Sequence, residues 1–317
     1  KANQNTLYIT NQLTPWWVTG ITDAEGSFSI NYAKSTNKVT FSFKVTQKQH
    51  SVSILTDLQA YFKIGNINLD NRQLVAYKFT VSKIEHLINI IIPHFDKYPL
   101  VGSKQLDFLD WKEAIINYNK DKQIKQVLDI KEKMNCKRSF KERWLYLNDK
   151  LIILCPEWIQ AFIDGEGCFQ CTIGNHKNRD KYILSITITL EIAQHTHDVK
   201  VLEAIKSYFG QGYLKPKFDI SKLEQVEKVR GVSRYVTHCS VELIEFFAKY
   251  PLYTLKHKDY LDWKALYELK AKNTHKEEDG LKHMIAIKKG MNKGRLYDTN
   301  IISTKDKLNL INLNQTQ

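Results

Sequence analysis

Two glutamates occupy places where helix electrostatics disfavour them. In "WVTGITDAEGSFSI", Trp17 to Ile30, the apolar and small residues up to Ala24 suit a helix, and Ser27, Phe28, Ser29 and Ile30 alternate as a half-buried strand does. Glu25 falls at the join, at the helix C-terminus, where the dipole is negative and a cation is preferred. "WIQAFIDGEGCFQC", Trp158 to Cys171, restates the arrangement with Glu166 in the same place. An exposed glutamate before a capping glycine is ordinary in one copy; its recurrence argues for chemistry. Both helices carry small residues four apart, Gly20 with Ala24 and Ala161 with Gly165, which lets two helix faces approach closely. Packed about a pseudo-twofold axis, the helices would end side by side with Glu25 facing Glu166. Nothing in the helices offsets the repulsion between those carboxylates. A divalent cation does, and oxygen-only ligation favours Mg²⁺ or a similar hard metal.

The duplication that places the glutamates runs through the chain. "VTQKQHSVSIL" pairs with "IAQHTHDVKVL", aligning Gln47 with Gln194. "YFKIGNI" pairs with "YFGQGYL". "KYPLVGSKQLDFLDWK" pairs with "KYPLYTLKHKDYLDWK", aligning Lys104 with Lys256, and "IKQVLDIKEKMNCKR" pairs with "LKHMIAIKKGMNKGR". The spacing widens along the chain, which predicts small loop insertions in the second copy. Gln47 and Gln194 end their second strands, and Lys104 and Lys256 begin their last helices. Read singly, each is an ordinary solvated residue; read as symmetric pairs, they could organise water and stabilise charge on phosphate beside the metal. Trp111 and Trp263, in the "LDWK" blocks, read as core anchors.

Each copy reads as helix, two strands, helix, two strands, helix: an α+β fold of two pseudo-symmetric αββαββα repeats. In "TFSFKVTQ", Phe41, Phe43 and Val45 share one face, and Ser42, Lys44 and Thr46 share the other. Helices are expected from Ser51, over Glu85–His94 and over Lys104–Tyr118. The expected divisions are an N-terminal repeat at 1–120, a Lys-rich helical linker at 121–151, a C-terminal repeat at 152–270, and a helical extension and tail at 271–317. Two polar strand faces side by side would make one long saddle. The first would present Ser27, Ser29, Asn31, Lys34, Ser42, Lys44, Asn68, Arg72, Lys78 and Thr80. The second would present Gln170, Thr172, His176, Thr187, Thr189, Lys215 and Lys217. Such side chains suit base edges in a major groove, with lysines meeting phosphates.

Composition agrees with a polyanionic partner. The 317 residues carry a formal net charge of +13 with a pI near 9.3. No apolar run reaches the ~18–20 residues needed to cross a membrane. Five cysteines without framework spacing point to a reducing compartment. Cys168 and Cys171, three apart in an alternating strand, face opposite sides and make no shared metal site. The N-terminus "KANQNTLYIT" shows no signal or transit pattern. Frequent Lys, Asn and Ile suggest an AT-rich, organelle-encoded gene, hence a mitochondrial protein.

"VTGITDAEG" and "IQAFIDGEG" resemble the two motifs of single-chain LAGLIDADG homing endonucleases, and the resemblance runs from about Trp16 to Arg295, including the "MNKGR" ending of fungal mitochondrial relatives. It implies that Glu25 and Glu166 ligate a divalent metal, Mg²⁺ with Mn²⁺ or Ca²⁺ as substitutes, helped by the carbonyls of Ala24 and Gly165. Gln47, Gln194, Lys104 and Lys256 stand where the family keeps its less strictly defined active-site residues. The resemblance further implies a monomer that cuts both strands of a long, asymmetric double-stranded DNA site across the minor groove, leaving short 3′ overhangs. Glu replaces the consensus Asp at both metal positions and keeps the ligand type. Thr19 and Gln160 stand where a small Ala is usual, which predicts a looser helix contact. Two rival functions are an intron-RNA splicing maturase and a DNA-binding protein without catalysis. A maturase released from cutting would be free to lose its acids, and here both remain.

Overall fold

The computed structural model describes residues 12–295 apart from 72, 74, 179, 180 and 230. Helix α1 (Pro15–Glu25) begins on Thr14, whose side chain accepts the Trp17 N–H, with Pro15 in the first turn where its missing N–H costs nothing. It runs into strand β1 (Gly26–Ala33) without a loop. A Cβ on Gly26 would stand 2.6 Å from the Thr22 carbonyl, so the residue after Glu25 must be glycine for the strand to leave the last helical turn. Then follow β2 (Lys38–Lys48), α2 (Ser53–Phe62), β3 (Asn66–Asn71) and β4 (Ala76–Val81). A broken helical run comes next: α3 (Ile84–His86), a π turn over Leu87–Ile91, and α4 (Ile92–Lys97), where Pro93 supplies no N–H to the ladder. The repeat closes with α5 (Lys104–Asp121). α6 (Ile124–Lys131) and α7 (Phe140–Asn148) lead to the second copy.

That copy comprises α8 (Pro156–Glu166), β5 (Gly167–Asn178), β6 (Lys181–His195), α9 (Val199–Phe209), β7 (Tyr213–Lys215), α10 (Leu223–Lys228), β8 (Val232–His238), α11 (Val241–Lys249) and α12 (Lys256–Ala271), followed by α13 (Glu278–Lys289). The sheets are antiparallel and share one topology, β1-β2-β4-β3 and β5-β6-β8-β7. Of the expected insertions, one lengthens the β5–β6 hairpin, with strands of 12 and 15 residues against 8 and 11 in β1 and β2, and another is α10, between β7 and β8.

Each sheet buries one face under its own helices. Phe28, Phe43 and Phe79 fill the first core with Phe95, Phe108 and Trp111; Phe169, Leu190 and Tyr235 fill the second with Phe247 and Trp263. The tryptophans also bond the sheets, Trp111 Nε1 donating to the Ser29 carbonyl at 3.3 Å and Trp263 Nε1 to the Thr189 carbonyl at 2.9 Å. Cys168 and Cys171 take opposite faces, half-buried and buried, and both are free thiols.

The repeated "MN…R" blocks latch onto the long helices in parallel ways. Asn135 Nδ2 donates to the Phe28 carbonyl, and its backbone N–H to Asp107, while Arg138 pairs with Asp107 and Asp110. Asn292 Nδ2 donates to the Phe169 carbonyl, and its N–H to Asp259, while Arg295 pairs with Asp259 and Asp262. α7 follows the first of these blocks; the stretch after Arg295 that would correspond to it lies outside the described residues. α7 opens with a Ser139–Glu142 capping box and packs Trp144 against Val199 and Val226 of the second repeat. Among the described residues no helix is long and apolar enough to cross a membrane.

Candidate active site

The two repeats meet along α1 and α8. Glycines make the close approaches. A Cβ on Gly20 would stand 2.4 Å from the Trp158 carbonyl oxygen and 2.9 Å from the Ala161 Cβ, and one on Gly165 would stand 2.3 Å from the Ala24 Cβ and 3.4 Å from the Glu25 Cγ. Glu25 therefore lies beside the end of the opposite helix, next to Glu166. Thr19 and Gln160 do not loosen this seam, contrary to the expectation from their size. They turn from the seam into buried contacts, Thr19 Oγ1 donating to the Tyr98 carbonyl at 2.9 Å and Gln160 Nε2 to the Pro251 carbonyl. The two departures from the motif fasten the repeated "KYPL" blocks.

Those blocks are held a second time by Asp23 and Asp164, one turn position before Ala24 and Gly165, which the sequence reading passed over. Asp23 accepts the N–H groups of Val101 and Gly102, at 2.8 and 3.2 Å, and Trp158 Nε1 at 2.8 Å across the repeat boundary. Asp164 accepts the N–H groups of Tyr253 and Thr254 and the Thr254 hydroxyl, at 2.8, 2.9 and 2.6 Å. Thr254 stands where the first copy has Gly102, so its hydroxyl replaces the tryptophan, and Trp17 Nε1 has no hydrogen-bond partner among the described residues. Burial pushes both aspartates up to about 6, against the lowering effect of these donors and of the nearby lysine. The signal for them was visible: an aspartate two residues before each glutamate, on the buried side of its helix.

The loops so held deliver Lys104 and Lys256, both half-buried, to the helix ends. Lys104 Nζ donates to the carbonyls of Thr22 and Asp23 at 2.8 and 2.7 Å. Lys256 Nζ donates to the Ile163 carbonyl at 3.4 Å and to the Gly165 carbonyl. The expectation that only a metal offsets the paired carboxylates is thereby corrected: an ammonium caps each negative helix end. Burial lowers both lysines, and Asp23, Glu166, Glu25 and Asp198 pull Lys104 back up, as Asp164, Glu25 and Glu166 do Lys256. Glu25 is raised by burial and by Glu166, against Lys256, Lys104 and Lys48. Glu166 is raised by burial, against Lys256 and a hydrogen bond from Gln194. The two carboxylates and two lysines form one electrostatic cluster.

Gln194 thus reaches Glu166, and Gln47 is buried with its Nε2 lacking a hydrogen-bond partner among the described residues. The flanks differ. On one side Ser103 N–H donates to Asp198 at 3.3 Å, Asp198 meets His197 at 3.0 Å, and buried Arg143 reaches Ser103 and Asp107. On the other, Ser51 stands in place of Asp198 and accepts the Leu255 N–H at 3.5 Å. A cavity of about 570 Å³ opens on the Asp198 side, bounded by Lys104, Glu166, Gln194, His195 and Arg143.

The donors at the seam are carboxylate and carbonyl oxygens, a hard set suited to a divalent cation such as Mg²⁺ or Ca²⁺. Among the described residues no three His, Cys, Asp or Glu side chains converge as a metal cage. Carboxylates alone therefore form no cage among the described residues, and neutral oxygens, water or phosphate must complete any shell. The Gly165 carbonyl keeps a second lone pair beside Lys256.

The outer sheet faces carry most of the expected recognition residues. Cross-strand rows run Ser27–Lys44–Thr80–Asn66 and Thr46–Lys78–Asn68 on the first sheet, with Ser29–Ser42 and Asn31–Thr40 beyond. On the second they run Gln170–Thr189–His238 and Thr172–Thr187, and Lys215 stands opposite Arg234. Several expectations are corrected. Lys34 lies in a 3₁₀ turn and Lys217 beyond β7, so neither is a strand-face residue. Ser42 and Thr189 are buried, and the Ser42 hydroxyl is engaged with Ser29 at 2.9 Å, because neighbouring rows cover short side chains. Lys78 is paired with Asp70. Arg72 lies outside the described residues, as does the side chain of His176, whose backbone belongs to β5. Glu191, Arg234 and His238 share the second face and went unremarked in the sequence.

The profile of the LAGLIDADG endonuclease family matches residues 18–115 and 159–267. "Probable intron-encoded endonuclease 3" of Neurospora crassa is 28% identical over 306 residues, covering 89% of this chain; the chain spans 55% of that relative. I-SmaMI, solved bound to uncleaved DNA target in the presence of calcium ions, is 26% identical with a TM-score of 0.73, over 89% of this chain and 99% of its own. The LAGLIDADG homing endonuclease I-LtrWI, solved bound to target DNA, is 28% identical with a TM-score of 0.75, over 89% of this chain and 98% of its own.

Proposed function

This chain belongs to the LAGLIDADG endonuclease family, and from that premise we propose that it is a monomeric, site-specific homing endonuclease that hydrolyses both strands of a long, asymmetric double-stranded DNA target. The observation that carries the reading is the convergence of Glu25 and Glu166, from two equivalent helices, between two sheets with polar outer faces. Glu25, Glu166 and the carbonyls of Ala24 and Gly165 would hold divalent metal, Mg²⁺ in the cell. Bound there, the cation supplies Lewis-acid stabilisation of charge on phosphate oxygens and activates water.

The chain's own residues do the rest. Gln194 fixes the orientation of Glu166. Gln47, with a free N–H donor, is suited to hold a water or a phosphate oxygen. Lys104 and Lys256 fix the helix ends and add positive charge near the scissile phosphates. The sheets read base edges in the major groove, so that cutting falls across the minor groove between them and leaves short 3′ overhangs. The basic charge, the family and the intron-encoded relative support an organelle-encoded, mitochondrial protein.

The test is a cleavage selection on a randomised duplex library with Mg²⁺ and with EDTA. Wild-type protein is expected to yield double-strand breaks at one long site with Mg²⁺ and none with EDTA. Glu25→Gln and Glu166→Gln are expected to keep binding that site while losing cleavage by at least about 100-fold. Double-strand cutting by either variant at the wild-type rate would remove the carboxylates from the chemistry.

A further inference from the structure

At one outer-face position that symmetry makes equivalent, the repeats carry opposite charges. Lys44 lies three residues before Gln47 on β2, opposite Ser27, the second residue after Glu25. Glu191 lies three residues before Gln194 on β6, opposite Cys168, the second residue after Glu166. Each sits between buried core residues, Phe43 and Val45 in one strand, Leu190 and Ile192 in the other, so both side chains point to the face away from the helices. Each stands in the sheet row next to a helix-end glutamate. The charge is reversed between them.

A carboxylate on a surface that receives a polyanion works against binding, and the ion pair it makes within the fold is a loose one. Arg234 Nε is 3.9 Å from Glu191 Oε2, outside hydrogen-bond range, with the two side chains 47% and 26% exposed. The pair softens the repulsion and leaves the acceptor oxygens of Glu191 available. Lys44 makes no ion pair among the described residues, and its neighbours across the strands are Ser27 and Thr80. An ammonium only donates and a carboxylate only accepts. In the major groove the matching edges are guanine O6 and N7 for lysine and the cytosine N4 amino group for glutamate.

We infer that Lys44 and Glu191 are a polarity pair: at the same position of each half-site, Lys44 selects guanine and Glu191 selects cytosine. Resting on the endonuclease reading above, this gives the two halves opposite demands at equivalent base pairs, so that a near-symmetric protein binds an asymmetric target in one orientation. The other sheet-face pairs of the same rows, Ser27 with Cys168 and Thr80 with Val236, carry no formal opposition of donor and acceptor.

The test is the same library selection, by binding and by cleavage, with wild type, Glu191→Lys, Glu191→Gln and Lys44→Glu, each checked by thermal melting. Wild type is expected to recover guanine at one position of one half-site and cytosine at the equivalent position of the other. Glu191→Lys is expected to turn that cytosine preference to guanine, and Glu191→Gln to adenine, each by roughly 10-fold, with the opposite half unchanged. Lys44→Glu is expected to convert the guanine. A rise in affinity that is even across all sequences, with base preferences unmoved, would mean that Glu191 acts only through charge and would overturn the inference. If no library duplex is bound or cut by any of the proteins, the endonuclease reading itself falls, and the polarity pair with it.

Discussion

Gly165→Ala tests the seam that brings the glutamates together. The new methyl would stand 2.3 Å from the Ala24 Cβ, whereas carbon atoms rest about 3.5–4.0 Å apart, so the helix ends must separate by roughly 1 Å. Overpacking of this kind costs about 1–3 kcal/mol, which lowers the melting temperature by roughly 2–5 °C in a chain of this size. The larger effect is expected in catalysis. Glu25 and Glu166 sit directly on the two helix ends, and a displacement near 1 Å at reacting groups costs about 100-fold in rate. Binding is expected to survive, because the sheets are held by their own cores. The arrangement also supplies a rescue. At this end of the seam the nearest atom to the new methyl is the Ala24 Cβ, so Ala24→Gly combined with Gly165→Ala exchanges the partners and restores the spacing. Single-turnover cleavage of the selected site, with melting curves for wild type, the single variant and the double variant, decides the matter. Cleavage by Gly165→Ala at the wild-type rate, or no recovery in the double variant, would refute the reasoning.

The buried aspartates and the latch arginines carry two further expectations. Asp164 has a folded pKa of about 6 against an unfolded value of 3.8, so the folded state holds the proton more tightly; this contribution is complete below pH 4 and lost as pH rises through 6. Between pH 4 and 7 the stability difference between wild type and Asp164→Asn should therefore narrow by about 2 kcal/mol, read by urea denaturation, and a widening gap would contradict the burial argument. Arg295→Met should destabilise by about 3 kcal/mol, because it removes the cation from Asp259 and Asp262 and leaves Asp259 only the Asn292 N–H. Arg138→Met should cost less, since Arg143 still bonds Asp107 at 2.8 Å; equal losses in denaturation would show that Arg143 gives no such relief.

The sequence alone determined the duplication, the αββ start of each repeat and the two glutamates at the helix ends. Those are local facts: the period of the apolar residues fixes helix or strand, and a block repeated in order fixes equivalence. It also placed Lys44, Ser27 and Asn68 on an outward face, because alternation along a strand assigns faces without a fold. Partners across the chain were beyond it. Asp23 and Trp158 are 135 residues apart and bond only because α1 crosses α8. Thr19 and Gln160 read as obstacles until the structure turned them toward Tyr98 and Pro251. Lys104 and Lys256 read as surface residues until their loops, tied down by aspartates one helix away, folded them onto the carbonyls they cap. Periodicity tells which side of an element a residue occupies; only the packing of elements tells what lies there, and at this site what lies there sets the charge.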